Sequence, residues 1–110
     1  MVSVHGNTIV MTRGDTLILN LAITDKLGEV YTPVEGDSIR FALKEHYDDE
    51  EPLILKTIPI DTMILRLEST DTKELDQPGS YVYDIQLTTI DGIVDTIIPK
   101  GRLRITEEVD

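Results

Sequence analysis

The chain has 110 residues, with 10 Lys and Arg against 21 Asp and Glu, which gives a formal net charge of −11. This length predicts a single domain over residues 1–110, and an apolar content of 40% is enough for a hydrophobic core. Nucleic acids and anionic membrane surfaces are not expected partners, because both select for Lys and Arg. The absence of Cys excludes disulfides, thiol catalysis and cysteine-based zinc sites.

The start of the chain carries no basic segment followed by an apolar run, so we expect no signal peptide. No apolar run reaches the roughly 18 residues that a membrane-spanning helix needs. We therefore expect no membrane partner.

Alternation of apolar and polar residues with a period of two dominates the chain and is typical of strands with one face on a core. It predicts five strands and two weaker strands that flank them. The five are residues 16–24, 38–45, 53–58, 62–67 and 80–88; the flanking two are residues 2–11, interrupted at 6–7, and residues 93–105, interrupted at 99–101. In the most regular segment, Tyr81, Tyr83, Ile85 and Leu87 are expected to face the core.

Turn residues separate these segments, and Asp91-Gly92 between two apolar runs is the strongest hairpin signal. Residues 69–75 begin with residues that cap helices and predict one helical turn. Pro99 cannot donate a hydrogen bond to a sheet, so the closing strand is expected to lie at an edge or to carry a bulge.

About seven short antiparallel strands with one helical turn near residues 70–75 predict an all-β fold, a β-sandwich. The segment L-D-Q-P-G-S-Y-V-Y, residues 75–83, resembles the tyrosine corner of an immunoglobulin-like β-sandwich, in which Tyr81 would bond back to upstream backbone. Alternatively, Tyr81 and Tyr83 are large strand-forming residues on a buried face. Both interpretations favour a sandwich.

The residues that could carry catalysis are few. His5 and His46 are the two histidines, they stand far apart in the chain, and no catalytic or nucleotide-binding motif occurs. We expect no catalytic residues and no cofactor.

Two further motifs have ordinary interpretations. The acidic run over residues 45–51 lacks the spacing of a calcium loop, so no metal site is expected there and a solvated loop is favoured. Arg13-Gly14-Asp15 spells a tripeptide of some integrin ligands, but Gly and Asp after an apolar strand are also what a turn requires.

A basic stripe stands out in this acidic chain. Lys100, Arg102 and Arg104 alternate with residues of the opposite face and so share one side of the closing strand. Such residues can protect an edge strand from aggregation. They can also dock an acidic surface, for instance the 45–51 loop of a neighbouring copy. The predicted protein-interaction residues are Lys100, Arg102, Arg104, Val82, Asp84 and Gln86.

The order of features along residues 12–106 resembles a known group of domains. The segments that carry it are T-R-G-D-T-L-I-L-N-L-A-I-T-D, G-D-S-I-R-F-A-L-K, L-D-Q-P-G-S-Y-V-Y-D-I-Q-L-T-T-I-D-G and K-G-R-L-R-I-T. They resemble the small immunoglobulin-like domains of tailed bacteriophages and prophages, of the type found at the N-terminus of the baseplate upper protein and in short relatives encoded near tail genes.

The resemblance implies a non-enzymatic structural or assembly role in a phage or prophage tail or baseplate. It implies a virion component made in the bacterial cytoplasm, whose partners are other protein subunits or copies of itself. Two alternatives remain. A glycan- or host-surface-binding sandwich would use exposed aromatics, for which Tyr31 and Tyr47 remain. A small enzyme would need a pocket with His5 or His46 beside a carboxylate.

Overall fold

A computed structural model describes residues 3–5, 8–24, 27–73, 75 and 79–106. Strands dominate this part of the chain, and one short helix interrupts them. The elements are β1 (Ser3–His5), β2 (Thr8–Thr12), β3 (Leu17–Asn20), β4 (Ser38–Lys44), β5 (Ile54–Ile58), β6 (Ile64–Leu67), α1 (Ser69–Lys73), β7 (Gly79–Thr88) and β8 (Val94–Thr106). The predicted all-β class and the helical turn are confirmed.

The strands form two sheets. The large sheet has six strands in the order β1-β2-β8-β7-β4-β5, and the small sheet pairs β3 with β6. The third and sixth strands thus form one layer of a sandwich, while β4, β7 and β8 lie within the other. All pairs are antiparallel except β2 and β8, which run parallel.

The core lies between the two sheets, because each strand places alternate apolar residues on its inner face. The rings of Phe41 and Tyr83 meet at its centre, with centroids 5.3 Å apart. Eighteen buried apolar residues form one cluster, namely Ile9, Met11, Leu17, Ile23, Ile39, Phe41, Leu43, Ile54, Ile58, Leu65, Leu67, Leu75, Tyr81, Tyr83, Ile85, Leu87, Leu103 and Ile105. The core faces predicted for the strand at 80–88 are confirmed.

The closing strand differs from its prediction in one respect. Arg102 of β8 is in register with Thr8 of β2 on one side and with Val82 of β7 on the other. The expectation that this strand lies at an edge is therefore wrong for its second half. The predicted bulge is confirmed, because the register with β7 shifts between Tyr83 and Ile85, opposite the Pro99 segment.

The strand predicted over residues 16–24 is shorter in the structure. Pairing with β6 ends at Asn20, and one further bond joins the Leu21 N–H to the Met63 carbonyl at 2.7 Å. Met63 has a φ of 56°, a backbone conformation that residues other than glycine seldom adopt. The chain then folds back on itself, with a bridge between Thr24 and Val30.

Tyr81 is buried, 7% exposed, at the start of β7. The backbone to which a tyrosine corner would bond includes residues 74 and 76–78, which lie outside the described part of the chain. The corner therefore stays a prediction.

Candidate functional site

The six predicted interaction residues lie on the outer face of the large sheet, on the adjacent strands β7 and β8. Lys100, Arg102 and Arg104 are exposed, because the residues between them, Gly101 and Leu103, turn inward and are buried. Val82, in register with Arg102, is half-buried beside them. The alternation of Lys100, Arg102 and Arg104 with inward residues therefore predicted their common surface correctly.

Two of the six are engaged within the domain. The Arg40 guanidinium donates to Asp84 Oδ1 at 3.3 Å and to Gln86 Oε1 at 2.8 Å. Gln86 Nε2 in turn reaches Thr96 Oγ1 at 3.5 Å. Asp84 and Gln86 thus belong to a polar ladder across β4, β7 and β8.

The other four predicted residues and one residue of β2 form what we call the basic face: Lys100, Arg102, Arg104 and Val82, with Val10. Val10 lies in register with Arg104 on β2. Within the described residues, the ion pairs are Arg40–Asp84, His46–Glu45, Lys56–Asp71 and Arg66–Glu68, and none includes a cation of the basic face. Because Arg102 and Arg104 lie in an interior strand, protection of a free edge does not explain them.

A second surface, which the sequence analysis did not identify, lies where β4 begins and β7 ends. There the loop from β3 to β4 meets the hairpin from β7 to β8. Asp37 joins the two loops: its Oδ1 accepts the Ile90 N–H at 3.1 Å, and its Oδ2 accepts the Val34 N–H at 3.1 Å and the Tyr31 hydroxyl at 2.6 Å. These bonds join residues 31–37 of the first loop to the hairpin.

The charge state of Asp37 follows from those bonds. The Tyr31 hydroxyl, and then the Val34 and Ile90 N–H groups, hold the pKa of Asp37 below its ordinary value of 3.8. The carboxylate in turn raises the pKa of the Tyr31 phenol. At neutral pH Asp37 is therefore ionised and Tyr31 protonated, which is the combination that the hydrogen bonds require.

The two loops and the first residue of β8 expose four apolar side chains, which we call the loop-end patch. Ile90 is 67% exposed, Ile93 62%, Val94 58% and Val34 57%. The loops pack closely, because a Cβ built on Gly36 would lie 2.6 Å from Ile90 Cδ1. Three exposed carboxylates, Glu35, Asp91 and Asp95, directly follow Val34, Ile90 and Val94 in the sequence.

The hairpin that carries half of this patch matches the sequence prediction. The Gly92 N–H donates to the Thr89 carbonyl and the Thr89 N–H to the Ile93 carbonyl, both at 2.9 Å. Gly92 has a φ of 84°, the left-handed conformation that glycine favours. The turn itself was predictable from Asp91-Gly92, whereas the exposure of its isoleucines was not. The available signal was the placement of apolar residues directly on both sides of a turn.

The residues considered for catalysis or metal binding are not brought together. His46 is exposed in the acidic loop, and its Nε2 lies 3.9 Å from Glu45 Oε1. Asp49 Oδ2 accepts the His46 N–H at 3.0 Å, as in an ordinary turn. His5 lies in β1, at one edge of the large sheet, whereas His46 follows β4, which is next to the opposite edge. Across residues 8–24, 27–73 and 79–106, no three acidic or histidine side chains gather as metal ligands would.

The Arg13-Gly14-Asp15 segment is a turn against α1. The Asp15 N–H donates to the Thr12 carbonyl at 3.0 Å, and the Gly14 N–H donates to Thr72 Oγ1 at 2.9 Å. Thr72 is fully buried, and its hydroxyl lies 3.2 Å from the Ser69 carbonyl. The turn interpretation of this tripeptide agrees with these contacts, and all three of its residues are half-buried.

An apolar cavity of about 150 Å³ lies between the sheets. Its lining is mostly aliphatic, from Ile9, Leu19, Leu21, Ile58, Leu65, Ile85 and Ile98, with Tyr83 and Asn20. It contains no cluster of ionisable groups, so it offers no arrangement for acid–base chemistry.

Two findings complete the description of the molecule. In the described residues, no helix has the length and apolar character that crossing a membrane requires. No family model, curated protein or solved structure matches this chain.

Proposed function

We propose that this protein is a non-enzymatic structural module that binds other protein subunits through the loop-end patch. The observation that supports the proposal is the exposure of four aliphatic side chains, Val34, Ile90, Ile93 and Val94, at the end of the sandwich where Asp37 joins the two loops. Soluble domains rarely expose such groups together unless they contact a partner. In immunoglobulin-like variable domains, the corresponding end of the sandwich carries the binding loops.

The hydrogen bonds of Asp37 favour binding, because a backbone that is already held in place loses less entropy on association. Asp37 holds Val34 and Ile90 in place through bonds of 3.1 Å to each backbone N–H. The patch therefore has a defined shape before any partner arrives.

For the biological setting, we propose the tail or baseplate of a tailed phage or prophage, with the protein as a virion component made in the bacterial cytoplasm. This part of the proposal is supported by the resemblance described above. Neither nucleic acid nor membrane is proposed as a partner.

Glycan binding is the alternative function, and the side chains at the loop end do not favour it. Sugar rings stack on exposed aromatic faces. Tyr31 is half-buried and bound to Asp37, while Tyr47 lies at the other end of β4, with its hydroxyl 3.3 Å from the Gly101 carbonyl. A specific signal on a glycan array would replace the proposal with this alternative.

A photo-crosslinking amino acid at position 93 tests the proposal directly. The protein is expressed in a host that produces the virion, irradiated, and its crosslinked partner is identified by mass spectrometry. We expect a crosslink to a tail or baseplate subunit or to a second copy of this chain, and none from the same amino acid at position 55, which is about equally exposed on β5. Equal crosslinking from both positions, or none from position 93, would contradict it.

A further inference from the structure

The two surfaces described above carry opposite charges and lie far apart on one molecule. Glu35, Asp91 and Asp95 are exposed and each directly follows a residue of the loop-end patch in the sequence, whereas Lys100, Arg102 and Arg104 line the basic face. β8 begins at Val94, which belongs to the patch, and reaches Arg102 eight residues later, about 25 Å away at ~3.3 Å per residue. One copy therefore cannot bring its own two surfaces into contact.

We propose that copies of this chain associate head to tail, with the loop-end patch of one copy seated on the basic face of the next. The inference rests on the proposed function, in that the loop-end patch is taken to bind protein. It goes further by naming a second copy as the occupant.

The chemistry of the two surfaces is complementary. The patch offers isoleucine and valine side chains, and the basic face offers Val10 and Val82 flanked by arginines, whose aliphatic stems pack well against apolar groups. The guanidinium groups of Arg102 and Arg104 then lie where they can form paired hydrogen bonds with the carboxylates of Glu35, Asp91 or Asp95.

The two symmetric alternatives are less favourable. Contact between two loop ends would place carboxylates against carboxylates, and contact between two basic faces would place arginines against arginines. Each copy has a net charge of −11, and contact between unlike surfaces avoids this additional repulsion between two copies. At physiological salt the Debye length is about 8 Å, so repulsion between the acidic bodies is screened more than the direct pairs are.

Two copies joined head to tail leave one loop-end patch and one basic face unoccupied. Such an interface adds further copies, in an open chain or a closed ring. A symmetric dimer stops at two copies, so the number of copies in the assembly distinguishes the two kinds of interface.

The test uses two variants that each lose one surface. The face variant carries Arg102→Glu and Arg104→Glu, and the loop-end variant carries Ile90→Ser and Ile93→Ser. Sedimentation velocity is measured for the wild type, for each variant and for their equimolar mixture, over increasing concentration at physiological salt. Circular dichroism and melting temperature confirm that each variant is folded, as expected for exposed positions.

We expect the wild type to form species larger than a dimer as its concentration rises and each variant alone to remain a monomer. The mixture is expected to form a dimer and to stop there, because only the intact patch of the face variant and the intact face of the loop-end variant can meet. A Leu55→Ser variant, altered at a position outside both surfaces, is expected to assemble like the wild type.

A wild type that stays monomeric at every concentration overturns the inference. So does a mixture that stays monomeric while the wild type assembles, and so does assembly that persists in either variant. Failure here is distinguishable from failure of the proposed function. If the wild type stays monomeric but position 93 crosslinks to a different subunit, the proposed function is supported and only the self-association is overturned.

Discussion

The ring of Tyr83 lies directly over Gly101, its partner in register on β8. A Cβ built on Gly101 would lie 2.2 Å from Tyr83 Cζ and 2.4 Å from two neighbouring ring carbons, so glycine is the residue that fits there. The buried ring also packs against Phe41. The contact joins β7 and β8, which flank the hairpin of the loop-end patch and carry the three cations and Val82 of the basic face.

Replacing Gly101 by Ala is expected to destabilise the fold by about 1–3 kcal/mol, because the added methyl group overpacks the core. The measurement is the free energy of unfolding in urea, for Gly101→Ala, for Tyr83→Leu and for the double variant. We expect the Ala substitution to cost much less when Tyr83 is Leu, with a coupling energy of about 1–2 kcal/mol. An equal cost in both backgrounds would mean that the ring does not set the requirement for glycine.

The buried hydroxyl of Thr72 is expected to hold the 13–15 turn against α1. Thr72→Val preserves the shape of the side chain but leaves the Gly14 N–H without its acceptor, which is expected to cost about 1–3 kcal/mol in unfolding free energy. Hydrogen exchange of the Gly14 amide is expected to accelerate in Thr72→Val and to remain slow in Thr72→Ser, which keeps the hydroxyl. Equal exchange in the two variants would contradict the assignment.

The connection made by Asp37 is expected to depend on pH in the acidic range. Its pKa in the folded state lies below the ordinary value of 3.8, so the stability that it contributes is present above that pH and is lost as the pH falls through the folded pKa. Amide shifts of Val34 and Ile90, followed by NMR, are expected to titrate together with a midpoint below 3.8. Tyr31→Phe is expected to move that midpoint upward, since it removes the largest cause of the shift. A midpoint at or above the ordinary value in the wild type would show that these bonds do not form.

The loop-end patch is expected to affect binding and not folding. Ile93→Ser removes an exposed side chain, so the free energy of unfolding is expected to change by no more than about 0.5 kcal/mol. Leu55→Ser, at 60% exposure compared with 62% for Ile93, is the matched control. Once a partner is identified, its dissociation constant is expected to rise at least about tenfold, or about 1.4 kcal/mol, for Ile93→Ser only. A loss of stability in Ile93→Ser would instead assign the residue to the core.

Local patterns in the sequence predict much of this fold. Alternation identifies β4 and β7, Asp91-Gly92 identifies the hairpin, and the capping residues before Lys73 identify α1. Each of these depends on residues that are close in the chain, and so each can be identified from a short segment.

The features that the sequence did not predict depend on residues distant in the chain. The parallel pairing of β2 with β8 joins Thr8 to Arg102, and this pairing moves the closing strand away from the edge of the sheet. Lys56 lies on the inner face of β5 and reaches Asp71 of α1 at 3.1 Å, although alternation alone assigns that face to apolar residues. Neither contact has a local signature.

The candidate surfaces divide in the same way. The basic face was predictable because its three cations share one strand. The loop-end patch was not, because Val34 and Ile90 come together only through Asp37, a contact across more than 50 residues of chain.

Hydrogen exchange of the whole protein, alone and with its identified partner, tests the central claim most directly. If the loop end binds protein, protection on binding is expected at the amides of residues 34–37 and 89–94, and at no amide of β5. Protection centred on β5, or on the acidic loop at 45–51, would contradict the account.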